Sequence, residues 1–312
     1  MLVSARRRCE NLATYRCKSQ PRGRARAGRV PWGVRLAGQT TPPQLHLPTT
    51  SRLPGSVRFS LAEARYGSRM SVVVVDGLAI YYETYGEGVP AVLIPRCNFA
   101  WSALDLAVLT GDYTVVIASP RGFGESERTE GPYTAASIKS DLEAVLDHVG
   151  VGEYVSFGYS MTGSVAPWLA HENPRVRAVI SGGFPIATAY TNVLPYITAN
   201  RADTFKDPRR WQTMTEKFDP DALMAWYLEL DKFPPAGLLD ALDCPLYSFW
   251  GGDDEVIEEL AGLEALRAGM QTRRLPFEVV PGRDHEGMLN SINEAMPQAR
   301  RWLNAVVPPQ GE

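Results

Sequence analysis

From residue 72 onward, short apolar runs alternate with longer stretches in which apolar residues recur at helical spacing. Residues 72–75 and 78–85 are rich in β-branched and aromatic side chains and flank Asp76-Gly77, a pair that predicts a tight hairpin. Residues 91–94 and 113–118 are almost continuously apolar, as strands buried on both faces are, and residues 101–109 between them predict a short helix. Ile138, Leu142, Val145, Leu146 and Val149 share one face of a predicted helix over 134–148, with Gly150 as its stop. A strand at 154–157, a helix over about 160–171 and a strand at 176–181 follow. The chain closes with a strand at 245–250, a helix over 255–270, a strand at 277–280 and a helix over 285–306. Strands separated by helices specify an α/β fold: a mostly parallel central sheet with helices on both faces, led by an antiparallel hairpin.

One stretch interrupts this alternation. Residues 185–240, after the sixth predicted strand, lean helical and carry Tyr190, Tyr196, Phe205, Trp211, Phe218, Trp226, Tyr227 and Phe233. An insertion there predicts a helical cap over the carboxyl ends of the strands, where open α/β sheets bind ligands. Its aromatic residues either face a ligand or form the cap's own core.

Composition narrows the class further. No apolar run approaches the roughly 20 residues that a membrane helix needs, so no membrane partner is expected. Cys9, Cys17, Cys97 and Cys244 are too scattered for a disulfide framework or a zinc site, so a reducing compartment is expected, with no metal and no cofactor. The net charge of -3 conceals two unlike segments. Residues 1–69 hold thirteen Arg and Lys18 against Glu10 and Glu63, a net +12, which leaves -15 on residues 70–312. The leading segment lacks a sustained helix or strand period and reads as a disordered, Arg-rich extension. It reads as dispensable, as an organelle-targeting segment, or as an electrostatic binding arm; Met70, immediately before the first predicted strand, reads as a natural start. The folded domain is therefore expected over 70–312, cytoplasmic unless residues 1–69 direct it to an organelle. Its acidic charge argues against a nucleic-acid partner.

Candidate chemistry converges on the loops that follow strands. Gly158-Tyr159-Ser160-Met161-Thr162-Gly163 lies between a predicted strand and a predicted helix, which exposes the Ser160 hydroxyl at a helix N-terminus. Gly124-Glu125-Ser126 matches the same short pattern but follows no strand directly, and Ser160 is also an ordinary helix N-cap type. A serine nucleophile needs a histidine base, and the base needs a carboxylate to orient it. Of the four histidines, His46 lies in the extension, while His148 and His171 close predicted helices, where a cation offsets the dipole. His285 follows the last strand in Gly282-Arg283-Asp284-His285, and Gly251-Gly252-Asp253-Asp254 follows the strand before it. Asp284 is the rival carboxylate.

In this order, Ser160…Asp254…His285, the chain resembles the α/β-hydrolase family over about residues 72–303. Ser119-Pro120-Arg121-Gly122-Phe123-Gly124-Glu125-Ser126 is similar to the family's Asp-x-Arg-Gly-x-Gly-x-Ser loop, with Ser119 in place of the aspartate. The resemblance favours Asp254 over Asp253 as the acid. It also implies an oxyanion hole formed by the N–H groups of Met161 and Cys97. Two departures stand out. Pro95-Arg96-Cys97-Asn98 replaces the family's His-Gly segment, and the Cβ of Arg96 opposes a glycine-like backbone there. Arg96 itself is expected either to meet an anionic substrate or to face solvent. Thr162 replaces the second glycine of Gly-x-Ser-x-Gly, which predicts a displaced turn.

The resemblance implies a serine hydrolase that cleaves an ester, thioester or lactone of a small, mostly apolar substrate. Carbon–carbon bond hydrolases and cofactor-free haloperoxidase-like enzymes share the triad and stay open. A serine nucleophile argues against the branches that use aspartate, the haloalkane dehalogenases and epoxide hydrolases. The competing class is a ligand-binding or sensing protein on the same fold, with slow or no turnover because of the altered 95–98 segment.

Overall fold

The computed structural model describes residues 69–96, 107–188, 216, 218–233 and 237–309. Residues 1–68 and residue 97 lie outside the described residues, and the first strand begins one residue before the expected start, at Arg69. Eight strands form one sheet in the order β1-β2-β4-β3-β5-β6-β7-β8. These are β1 (Arg69–Val75), β2 (Leu78–Tyr85), β3 (Ala91–Pro95), β4 (Thr114–Ala118), β5 (Tyr154–Tyr159), β6 (Val176–Gly182), β7 (Leu246–Gly251) and β8 (Phe277–Val280). β1 and β2 form the expected hairpin, with Asp76 and Gly77 both at positive φ in its turn. β2 also runs antiparallel to β4, and every pairing from β4 to β8 is parallel.

Period-two alternation sends neighbouring residues of each strand into two separate cores. Leu93, Val116, Val179 and Trp250 pack with α2 (Ala135–His148), α3 (Met161–Ala170) and α4 (Pro220–Leu230). Val92, Val115, Ile180 and Phe249 pack on the other face with α1 (Ala107–Thr110) and α9 (Met296–Val306). All eight of these strand residues are fully buried or nearly so, each contributing about 1.5–3 kcal/mol of transfer free energy. Among the described residues, no helix is long and apolar enough to cross a membrane.

Two predicted helices are broken, for local reasons. The 255–270 stretch divides into α6 (Glu255–Leu260) and α7 (Leu263–Thr272) around Gly262, which takes φ +84° and donates its N–H to the Ile257 and Glu258 carbonyls. That is a glycine-terminated helix end followed by a fresh start. The 285–306 stretch becomes α8 (His285–Asn290), a 3-10 turn (Ile292–Glu294) and α9, with Pro297 in the first turn of the last helix, where its missing N–H costs nothing.

Of the inserted 185–240 region, α4 and the short α5 (Gly237–Asp240) are described. Asp219 caps α4, and the Asp219 N–H donates to Gly122 O at 2.6 Å. Phe218, Trp226 and Tyr227 are buried, and Phe233 packs against the ring of His171. Trp226 meets Trp168 of α3 edge to face at 4.6 Å and donates its Nε1–H to Ser164 Oγ. These aromatic residues therefore anchor the insertion to the sheet's own helices. Tyr190, Tyr196, Phe205 and Trp211 lie outside the described residues.

Candidate active site

β5 ends in a turn that the surrounding atoms over-determine. Ser160 sits at φ 57°, ψ -124°, a conformation that costs a non-glycine residue about 1–3 kcal/mol. Its N–H donates to Gly182 O at 2.9 Å, and its carbonyl accepts from the Gly163 N–H at 2.9 Å. A Cβ on Gly158 would lie 1.9 Å from Thr162 O, so only glycine fits there. Gly163 makes a second close approach, to β6: a Cβ on it would lie 2.5 Å from Gly182 O. Thr162 lies in the first turn of α3. It is fully buried, and its hydroxyl accepts from the Tyr159 N–H and donates to the Tyr159 carbonyl, both at 2.9 Å. The β3–β5 ladder runs only to Leu93–Ser156, while Tyr159 still pairs with Gly182 of β6, so this hydroxyl bonds the Tyr159 backbone beyond the end of the β3 ladder.

α3 continues from this turn through Pro167, which removes the donor that would satisfy the Gly163 carbonyl. Ser181 Oγ on β6 donates to that carbonyl instead, at 2.7 Å. Met161 opens α3, so its N–H is one of the first-turn amides without an intrahelical acceptor. Its proposed companion, Cys97, lies outside the described residues.

The loop after β8 brings His285 to this turn. His285 Nε2 is 2.8 Å from Ser160 Oγ, and Nδ1 lies 2.9 Å from Asp254 Oδ2 and 3.0 Å from Oδ1. A carboxylate only accepts, so Nδ1 carries the proton and Nε2 is left to accept from the serine hydroxyl. Asp254 is fully buried and also caps α6, accepting from the Ile257 N–H at 2.9 Å. Asp253 is exposed and enters only through its backbone, which donates to Arg283 O at 3.0 Å. Asp284 caps α8 through the Gly287 N–H. Both rival carboxylates are thereby accounted for.

The other candidates are occupied elsewhere. Ser126 Oγ donates to the Ser119 carbonyl and accepts from the Tyr81 N–H at 2.8 Å, tying its loop to β2. His148 packs edge to face on Tyr82, and His171 on Phe233. Arg96 neither faces solvent nor points freely at a ligand: its Nη1 donates to Glu83 Oε1 at 2.7 Å, with both side chains largely buried. The reason is register. Glu83 pairs with Ile117 and Ile117 with Ile94, so Arg96, two residues on, shares the face from which Glu83 projects. Tyr81 and Tyr85 donate their hydroxyls to the same carboxylate. Burial pushes the Glu83 carboxyl up, but the hydrogen bonds from Arg96 and Tyr85, with the Arg96 charge, outweigh it and hold the group below its ordinary value. Burial and the Glu83 charge push the Tyr81 phenol up to about 12. Sequence reasoning missed this cluster, although Tyr81, Glu83 and Tyr85 alternate on one predicted strand and so share one face of it.

A hydroxyl, an imidazole and a buried carboxylate in sequence, at the carboxyl edge of a parallel sheet, can pass a proton from serine to histidine. Residues 90–227 match the family model described as alpha/beta hydrolase fold. Together with the strand order and two-faced helical cover, this shows that the chain has the α/β-hydrolase fold. It is 27% identical over 103 residues to a soluble epoxide hydrolase from a Corynebacterium species, a match covering 32% of this chain and 36% of that one. It is 30% identical over 113 residues to 3-oxoadipate enol-lactonase 2 of Acinetobacter baylyi, covering 35% of this chain and 42% of that one. Both matches span less than half of the curated relatives' length. Among solved structures, a thermophilic esterase from Thermogutta terrifontis (malate bound) superposes with a TM-score of 0.54 at 22% identity, over 76% of this chain and 99% of that one. Epoxide hydrolase A from Mycobacterium thermoresistibile does so with 0.57 at 16%, over 76% and 98%. At these identities the structural likenesses speak to the fold alone.

Proposed function

We propose that the protein is a serine hydrolase that cleaves an ester, thioester or lactone of a small, mostly apolar substrate. Ser160 attacks the carbonyl carbon while His285 takes its proton, and His285 then protonates the leaving group. Asp254 orients the imidazole and stabilises its charged form. Water, deprotonated by His285, then releases the acid and restores Ser160. The Met161 N–H and the backbone N–H of Cys97 are the proposed donors to the oxyanion. One observation carries the reading: Nε2 of His285 stands 2.8 Å from Ser160 Oγ while Nδ1 meets a fully buried Asp254. A serine at the turn favours acyl transfer over the epoxide chemistry named for some relatives. The lactonase and esterase among the similar proteins are consistent with it.

The test is fluorophosphonate labelling of the whole chain, read by intact mass, with Ser160→Ala and His285→Ala beside it. A single adduct on the parent and none on either variant supports the reading. No adduct on a folded parent would point instead to a ligand-binding protein on this fold.

A further inference from the structure

Tyr159 is attached to both partners of the proposed proton transfer. It is the last residue of β5, immediately before Ser160, and its backbone N–H and carbonyl are both held by the Thr162 hydroxyl. Its own hydroxyl donates to the main-chain carbonyl of His285 at 2.8 Å. The ring lies 5.3 Å from the imidazole and stacks on Phe249 at 5.8 Å. On its other side it is walled by Gly183, where a Cβ would lie 2.5 Å from the ring. The side chain is fully buried, so it has no room for a second rotamer. His285 is held at its other main-chain end too, its N–H donating to Glu255 Oε2 at 3.0 Å.

We propose that Tyr159 is a positioning residue: a rigid strut of fixed length that sets the separation of Ser160 and His285 by tying the turn of one to the loop of the other. The proposal rests on the reading of Ser160 as an activated nucleophile. Asp254 fixes the direction of the imidazole, whereas the strut fixes where its backbone stands. Burial, followed by the negative charges of Asp254, Glu255 and Asp284, pushes the phenol up, which keeps the hydroxyl a donor across the neutral range.

Tyr159→Phe tests this, because it keeps the ring and its packing and removes only the tie. The control is Tyr113→Phe, another fully buried tyrosine, immediately before β4, whose hydroxyl donates to Asn304 Oδ1 at 2.6 Å with Val307 O 3.1 Å away. Fluorophosphonate inactivation is resolved into its maximal rate and its half-saturating concentration, with the melting temperature of each variant. Tyr159→Phe is expected to lower the maximal rate about 10- to 100-fold while leaving half-saturation unchanged. Tyr113→Phe is expected to melt earlier by a similar amount and to keep the parent rate. A parent-like maximal rate in Tyr159→Phe overturns the strut, as does an equal loss of rate in Tyr113→Phe. A parent that takes no label removes the nucleophile itself, and with it both readings.

Discussion

Thr162→Val is the most direct probe of how the strained turn is held. Valine nearly matches threonine in shape, so the substitution removes a hydroxyl and little else. That hydroxyl accepts from one buried backbone group of Tyr159 and donates to the other, at 2.9 Å each. Withdrawing the acceptor from a buried N–H costs about 1–3 kcal/mol, more than the net worth of an ordinary hydrogen bond. For a domain of this size, about 2–4 °C of melting temperature accompanies each kcal/mol, so the variant is expected to melt about 2–12 °C below the parent. The same loss releases the turn that keeps Ser160 at φ 57°, and a displacement of about 1 Å at a reacting atom can cost about 10²-fold in rate. Calorimetry and the fluorophosphonate rate are measured together, with Thr162→Ser as the variant that keeps the hydroxyl. The expected result is a loss of both in Thr162→Val and near-recovery of both in Thr162→Ser. A valine variant that melts and labels like the parent would refute the clamp and leave Thr162 as packing alone.

Asp141 offers a contrast in magnitude. It is fully buried and accepts three hydrogen bonds from Arg121, through the backbone N–H, Nε and Nη2, at 2.7–2.8 Å. Asp141→Ala leaves the buried Arg121 guanidinium with the exposed Asp76 carboxylate, 2.9 Å from Nη2, and is expected to cost about 3 kcal/mol by urea unfolding, while Glu153→Ala, at the exposed pair with Arg177, stays within about 0.5 kcal/mol. Equal losses would show that burial is not what decides. The Glu83 carboxyl gives a pH dependence of definite sign. Its pKa in the folded protein lies below the ordinary 4.5, so its pairing stabilises the fold fully above that pH and is lost as the pH falls through the folded value. Melting temperatures from about pH 6 down to about pH 3 are therefore expected to fall less steeply in Glu83→Gln than in the parent. Parallel curves would contradict the assignment.

Local chemistry makes much of the fold legible along the chain. The continuous apolar runs at 91–94 and 113–118 form strands buried on both faces, and Asp76-Gly77 forms the hairpin turn because few other pairs tolerate positive φ twice in succession. The break at Gly262 is hidden in the helical pattern because one glycine inside such a pattern is usually tolerated, and only the restart at Leu263 makes it an end. Ser160, Asp254 and His285 stand out because each occupies a loop just after a strand, where an open sheet presents its side chains.

What the sequence determined by itself was therefore the kind and order of elements and the residue types waiting at their ends. Tertiary structure alone decided which of them meet. β3 lies between β4 and β5, although β4 follows it in the chain, and that order sets the neighbours of every loop at the sheet's carboxyl edge. It decided that Arg96 would find Glu83, that Gly163 would make a close approach to β6, and that the Tyr159 hydroxyl would reach the His285 carbonyl. Propensity, period and turn chemistry act over a few residues and leave their mark in a short window of sequence. Strand order and register come from burying two faces of one sheet at once, a condition on the whole chain that no short window contains.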